Sequence, residues 1–192
     1  MQTDRQREIV EVALDLIANK GIQGLTIKNL SKAIGISEPA IYRHFESKTA
    51  ILMTILNNFK EMADLFSGLM DTYEGSAIEK IGFMFQKMPG LFTETPSMVS
   101  VVLSEEIFKN DDLLKNKIVE IMNLYAETIE KIILKGQKEK NVRADISVKS
   151  LALLTMGSLR LLVKRRDLND HDFDLNREGN KMIGVLNKIL EK

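Results

Sequence analysis

Apolar residues recur at i, i+3, i+4 and i+7 along almost the whole chain, beginning with Ile9, Val12, Ala13, Leu16 and Ile17, and that spacing lines one face of a helix. Thr3-x-x-Gln6 ahead of this stripe has the form of a capping box, and Gly21 closes it. Thr26 caps a short second helix carrying Ile27, Leu30 and Ile34, which stops at Gly35. Ser37 caps a third, with Pro39 in its first turn, where a missing N–H costs nothing. Ser47 opens a long fourth helix through Leu52, Ile55, Leu56, Phe59, Met62, Ala63 and Phe66. After a loosening at 73–76, five more helices are expected over roughly 77–88, 96–109, 112–139, 147–165 and 175–190. Met88-Pro89-Gly90 breaks the first of these, Thr95-Pro96 starts the next, and Asn110-Asp111-Asp112 and the polar run 141–145 mark corners. No run alternates with a period of two. The pattern predicts an all-α chain of about nine helices, a three-helix head over 1–47 followed by a larger bundle over 48–192.

Two short helices joined by a tight glycine turn, the second starting Ser37-Glu38-Pro39, have the pattern of a helix-turn-helix. Ser31, four residues before Gly35, is small where two crossing helices meet; Ile36, Ile41 and Phe45 are placed to form a small core. Glu38, Pro39, Ala40, Tyr42, Arg43 and His44 are left on the outward face of the third helix. Small residues at its tip permit close approach to a groove, while Tyr42, Arg43, His44 and Lys48 can reach phosphates or base edges.

The run Thr26–Lys48, with G-I-S-x-x-x-I-Y-x-H-F-x-S-K, resembles the signature of the TetR-type transcriptional repressors. The resemblance implies a DNA-binding head followed by a bundle that dimerises and holds a small-molecule pocket. It implies that Thr26 and Lys28 approach the DNA backbone, that Ser37 and Glu38 lie at the interface, and that Pro39, Ala40 and Tyr42 face bases or thymine methyls. Arg43, His44 and Lys48 would hold phosphates, with the Lys48 main-chain N–H at a helix N-terminus also favouring an anion. Glu38 departs from a purely cationic or neutral tip: it either accepts from a cytosine amino group or repels phosphate. The expected activity is sequence-specific binding of double-stranded DNA at a palindromic operator, repression in competition with polymerase, and release by an effector.

Charge adds little to this picture, because 27 basic and 27 acidic residues cancel and the first fifty residues carry a net of only +1. A DNA face therefore has to be built by placing a few cations. The absence of cysteine excludes disulfides, thiolate metal sites and Cys nucleophiles, and the N-terminus carries charges at helical spacing where a leader would be apolar. No run reaches about 18 apolar residues, so no membrane segment is expected, and the cytoplasm is the default location. An enzyme is the competing class. It has only His44 and His171 to work with, no HExxH and no phosphate-cradling glycine loop, so no catalysis, cofactor or metal is expected. Asn169-Asp170-His171-Asp172-Phe173-Asp174 reads as a polar loop, and the cations Arg160, Lys164, Arg165 and Arg166 complement a helix C-terminus. A third class is a helical protein-interaction module with a vestigial head.

The bundle is mostly apolar. Phe83, Met84, Phe85, Met88, Leu91 and Phe92 cluster, and Val99, Val102, Leu103 and Phe108 with Ile118, Met122, Tyr125 and Ile129 give two further stripes. These make either a plain core or a pocket for a small hydrophobic effector. Met84, Met88, Phe92, Val102, Phe108 and Met122 are the candidate wall, and Tyr125 and Glu106 the polar contacts; Glu106 alternatively sits at the bundle edge beside a lysine. The segment 147–165 is apolar nearly all round, with Leu151, Ala152, Leu154, Met156, Leu159, Leu161, Leu162 and Val163, and 175–190 adds Met182, Ile183, Val185, Leu186, Ile189 and Leu190. Such a circumference needs cover on both sides, which predicts a homodimer through these two helices.

Overall fold

The computed structural model describes residues 2–94, 97, 101, 111–169 and 172–191, and of the side chains at 89 and 91–94 nothing is said. Among these residues there are eight helices and no strand: α1 (Asp4–Gly24), α2 (Ile27–Ile34), α3 (Glu38–Tyr42), α4 (Lys48–Thr72), α5 (Ala77–Glu94), α6 (Asp112–Lys138), α7 (Val148–Leu168) and α8 (Leu175–Leu190). The helix expected over 96–109 lies outside the described residues.

The local signals act as the pattern predicts. Thr3 and Gln6 form a reciprocal capping box at the start of α1. Gly21 leaves the helical region at φ 65°, so the regular part of α1 ends there and a single turn follows. Thr26 caps α2 by accepting from the Asn29 N–H at 3.1 Å. Ser47 caps α4 through the Ala50 N–H at 3.1 Å. Ser37 stands at the N-cap of α3 but makes no side-chain cap bond, a departure from the expected cap. The break expected at Met88-Pro89-Gly90 is also absent, because α5 runs on to Glu94. The proline forgoes one main-chain bond, while the preceding turns are fixed by the buried Ile81, Met84 and Phe85.

The chain divides into two compact units, Met1–Glu61 with Pro96–Glu120 and Met62–Thr95 with Ile121–Lys192, the division falling within α4 and α6. In the first unit, Ile9, Ala13, Ile17, Leu25, Leu30, Ile41, Phe45, Ile51 and Ile55 are buried and supply the core of the head. In the second, α5 packs on α8 and α8 on α7. Here Lys80 is buried and donates its ammonium to the Met70 carbonyl in the last turn of α4, a cation spent on a helix C-terminus.

On α6 the inward stripe differs from the one expected. Ile121, Thr128, Ile129, Ile132 and Ile133 are buried, whereas Met122 is 46% exposed. Apolar residues occur on more than one side of this helix, Leu113, Val119 and Leu134 being exposed as well, so apolar periodicity there does not select a single face.

Candidate functional site

The head is built so that α3 is held from beneath and bare above. Gly35, at φ 80° in the left-handed region, turns the chain after α2, and its N–H and that of Ile36 both close on the Ser31 carbonyl at 2.9 and 3.0 Å. Ser31 is buried, as its small size at the helix crossing predicts, and its hydroxyl donates to the Lys28 carbonyl at 3.0 Å. Ile41 and Phe45 are buried on the underside of α3. Ser37, Glu38, Pro39, Tyr42 and Arg43 are exposed, and Ala40 and His44 half-buried. One short helix therefore presents a tip of small residues followed by an aromatic, a cation and an imidazole, a surface suited to a groove of duplex DNA. Thr26 and Lys28 are exposed at the start of α2, the Thr26 hydroxyl being occupied as the cap.

Three contacts that periodicity does not reveal hold this surface in place. Gln6 Nε2 donates to the His44 carbonyl at 3.3 Å, fastening the end of α3 to α1. Asn29 Nδ2 donates to the Gly24 carbonyl at 2.9 Å, tying α2 to the end of α1. Lys48, half-buried in the first turn of α4, donates its ammonium to the Ile22 carbonyl at 3.2 Å, and burial pushes its pKa down. The polar residues Gln6 and Asn29 were the visible signal, since both fall beside helix caps; the lysine gave none.

In the second unit a hollow of about 600 Å³ is lined by Met62, Leu65, Phe66, Leu69, Phe83, Gln86, Lys87, Met88, Gly90 and Tyr125. Phe66 and Tyr125 stand with ring centroids 5.7 Å apart, and the Lys87 ammonium lies 5.8 Å from the centre of the Phe83 ring. Burial raises the pKa of the Tyr125 phenol, so it is kept as a neutral hydrogen-bonding group in an apolar wall. Of the residues expected to form a pocket, Met88 and Tyr125 line this hollow; Met84 is buried elsewhere in the core, and Met122 does not face it. The Phe92 side chain, Val102, Glu106 and Phe108 lie outside what is described. Sequence reasoning missed the α4 contribution, Leu65 and Leu69, whose exposure marks them now.

A helix-turn-helix head joined through a long helix to an apolar helical bundle defines a DNA-binding regulator. Comparison with known proteins agrees: residues 9–55 match the family model described as bacterial regulatory proteins, tetR family, and residues 61–188 match the YsiA-like protein, C-terminal region. The chain belongs to the tetR family of bacterial regulatory proteins, and is a DNA-binding transcriptional regulator and not an enzyme. It is 23% identical over 182 residues to the fatty acid metabolism regulator protein of Bacillus subtilis (strain 168), covering 93% of this chain and 92% of that one. Among solved structures, FadR from Bacillus subtilis in complex with stearoyl-CoA has a TM-score of 0.80 at 22% identity, covering 96% of this chain and 99% of that one. The MbdR regulator from Azoarcus sp. CIB reaches 0.86 at 21% identity, covering 97% and 98%. No helix among the described residues is long and apolar enough to cross a membrane.

Proposed function

We propose that this protein is a repressor that binds a palindromic operator as a homodimer and leaves it when a fatty-acyl effector enters the second unit. The observation that carries the reading is the outward face of α3, exposed above a buried Ile41 and Phe45. Residues 1–47 supply the DNA contacts and 48–192 the dimer and the sensor. Pro39, Ala40 and Tyr42 face base edges; Thr26, Lys28, Ser37, Arg43 and His44 approach the backbone; Lys48 offers its main-chain N–H at the start of α4. Glu38 accepts from a cytosine amino group, which makes it a selector of sequence.

The dimer is supported by α7, where Leu151, Ala152, Leu159, Leu162 and Val163 are buried while Leu153 is 72%, Leu161 61% and Leu168 70% exposed. Leu154 and, on α8, Val185 extend that uncovered surface. A second copy brought onto it gives a two-fold protein for a two-fold operator. The effector reading is supported by the apolar hollow and by two relatives, a fatty acid metabolism regulator and a structure holding stearoyl-CoA. An acyl chain suits Leu65, Leu69, Phe66 and Met88, and Lys87 offers a cation for an anionic head. The setting for such a switch is the cytoplasm. The test is operator selection from random duplexes followed by titration of acyl-CoAs into the complex. Binding no better than to random DNA removes the repressor reading, and an operator complex untouched by acyl-CoAs of every length removes the effector.

A further inference from the structure

Two consecutive residues in the first turn of α4 reach in different directions. Lys48 donates its ammonium to the Ile22 carbonyl at 3.2 Å, at the end of α1. Thr49 Oγ1 donates to Asp111 Oδ2 at 3.2 Å, and the other oxygen of the same carboxylate caps α6 by accepting from the N–H groups of Leu113 and Leu114 at 3.0 and 3.3 Å. The chain between α3 and α4 is short and pinned by the buried Phe45, and the Ser47 hydroxyl caps α4. Whatever orients the first turn of α4 therefore orients α3.

We propose that Lys48 and Thr49 are positioning residues that set the angle of the recognition helix: the lysine ties α4 to the end of α1, and the threonine ties it to the cap of α6. The Lys48 side chain acts inside the protein, not on a phosphate. An ammonium with a carbonyl acceptor in a half-buried site has given up part of its hydration already, and moving to a phosphate would leave Ile22 with one fewer donor. Asp111 has a double role by geometry, since one oxygen ends the orphan donors of α6 while the second receives Thr49. The contact is a single neutral hydroxyl on a charged acceptor, strong enough to fix a geometry and weak enough to be broken by a shift of α6.

The experiment compares Lys48→Met, Thr49→Val, Thr49→Ser and Asp111→Asn in the full chain, measuring affinity for a selected operator and for random duplex DNA across a salt series. Thr49→Val is expected to lower operator affinity about tenfold with random-sequence affinity unchanged, since a tilted α3 loses base contacts and keeps its cations. Thr49→Ser should restore it. Asp111→Asn keeps the cap with its carbonyl oxygen and loses the acceptor for Thr49, so it should match Thr49→Val, and the double variant should be no worse than either. Lys48→Met should lower the specific-to-random ratio with the salt slope intact. A slope shallower by about 0.9 in Lys48→Met would show a phosphate contact and overturn its assignment. An unchanged specific-to-random ratio in folded Thr49→Val and Asp111→Asn would overturn the other half.

Discussion

Gly136 and Ala77 approach so closely that a Cβ on the glycine would stand 2.5 Å from the alanine Cβ, with Val142 Cγ2 also at 2.5 Å. The close approach lets the last turns of α6 lie against the start of α5, and the Gly136 carbonyl then receives the N–H groups of Asn141 and Val142 at 3.0 and 3.1 Å. Gly136→Ala is a gain in helix propensity of about 1 kcal/mol that meets a clash costing ~1–3 kcal/mol or more. The clash wins because backbone-fixed methyls on both sides leave no flexible group to give way. A thermal melt should show Gly136→Ala clearly less stable than the wild type, whereas Gly157→Ala, with open space around it, should be as stable or more so.

Arg143 and Asp145 give a measurable pH signature. The guanidinium donates from Nε and Nη2 to the two carboxylate oxygens at 2.8 and 2.7 Å and holds the Asp145 carboxyl down at about 2. A carboxyl depressed in the folded state adds stability above its unfolded pKa of about 3.9, and that stability is lost as pH falls from there towards the folded value. NMR titration should place the Asp145 midpoint near 2 and return it to the ordinary range in Arg143→Gln. The pair is exposed, so Tm at pH 7 should move little.

How much of this was legible in the sequence depends on how local each cause is. Thr3, Thr26, Gly35 and Ser47 act within one helical turn, so the head could be read element by element. Met122 could not, because α6 carries apolar residues on several sides and only its neighbours decide which side is covered. The Lys48 contact depends on a carbonyl 26 residues away, at a turn created by Gly21, and no spacing rule links the two. Gln6 was visible as half of a capping box, but that its amide also holds the His44 carbonyl is a tertiary fact.

The DNA face predicts separable effects. Arg43 is exposed at the end of α3, and Arg43→Ala should weaken binding to every sequence and make the salt slope shallower by about 0.9. Tyr42→Ala or Glu38→Gln should change which operator is preferred, by ~1–3 kcal/mol at the affected base pair, with the slope unchanged. Fluorescence anisotropy with a panel of single-base operator variants distinguishes the two patterns.

The exposed leucines of α7 predict the state of assembly. Leu161→Glu alters a side chain 61% exposed in the protomer, so the protomer fold should survive. Buried against a second copy, the same carboxylate would be desolvated without a partner, which costs several kcal/mol at a two-fold contact where it occurs twice. Sedimentation should show the wild type as a dimer and Leu161→Glu as a monomer with normal circular dichroism and lost operator binding. A monomeric wild type at micromolar concentration would contradict the dimer.

The hollow offers a substitution that separates sensing from folding. Gly90 lines it, and a Cβ built there meets nothing within 4 Å, so a larger side chain has room to enter without overpacking. Gly90→Phe should fill part of the 600 Å³ while improving a position inside a helix. For a ligand to lower operator affinity about 100-fold it must prefer the released state by ~2.7 kcal/mol, and it can do so only by occupying the site. The phenylalanine variant should therefore bind operator as tightly as wild type and ignore concentrations of long-chain acyl-CoA that release the wild type. Met122→Trp provides the contrast: its side chain points to solvent, so that variant should respond to the ligand like wild type. Release of Gly90→Phe at the wild-type ligand concentration would place the effector elsewhere, and loss of response in Met122→Trp would move the site to the outer face of α6.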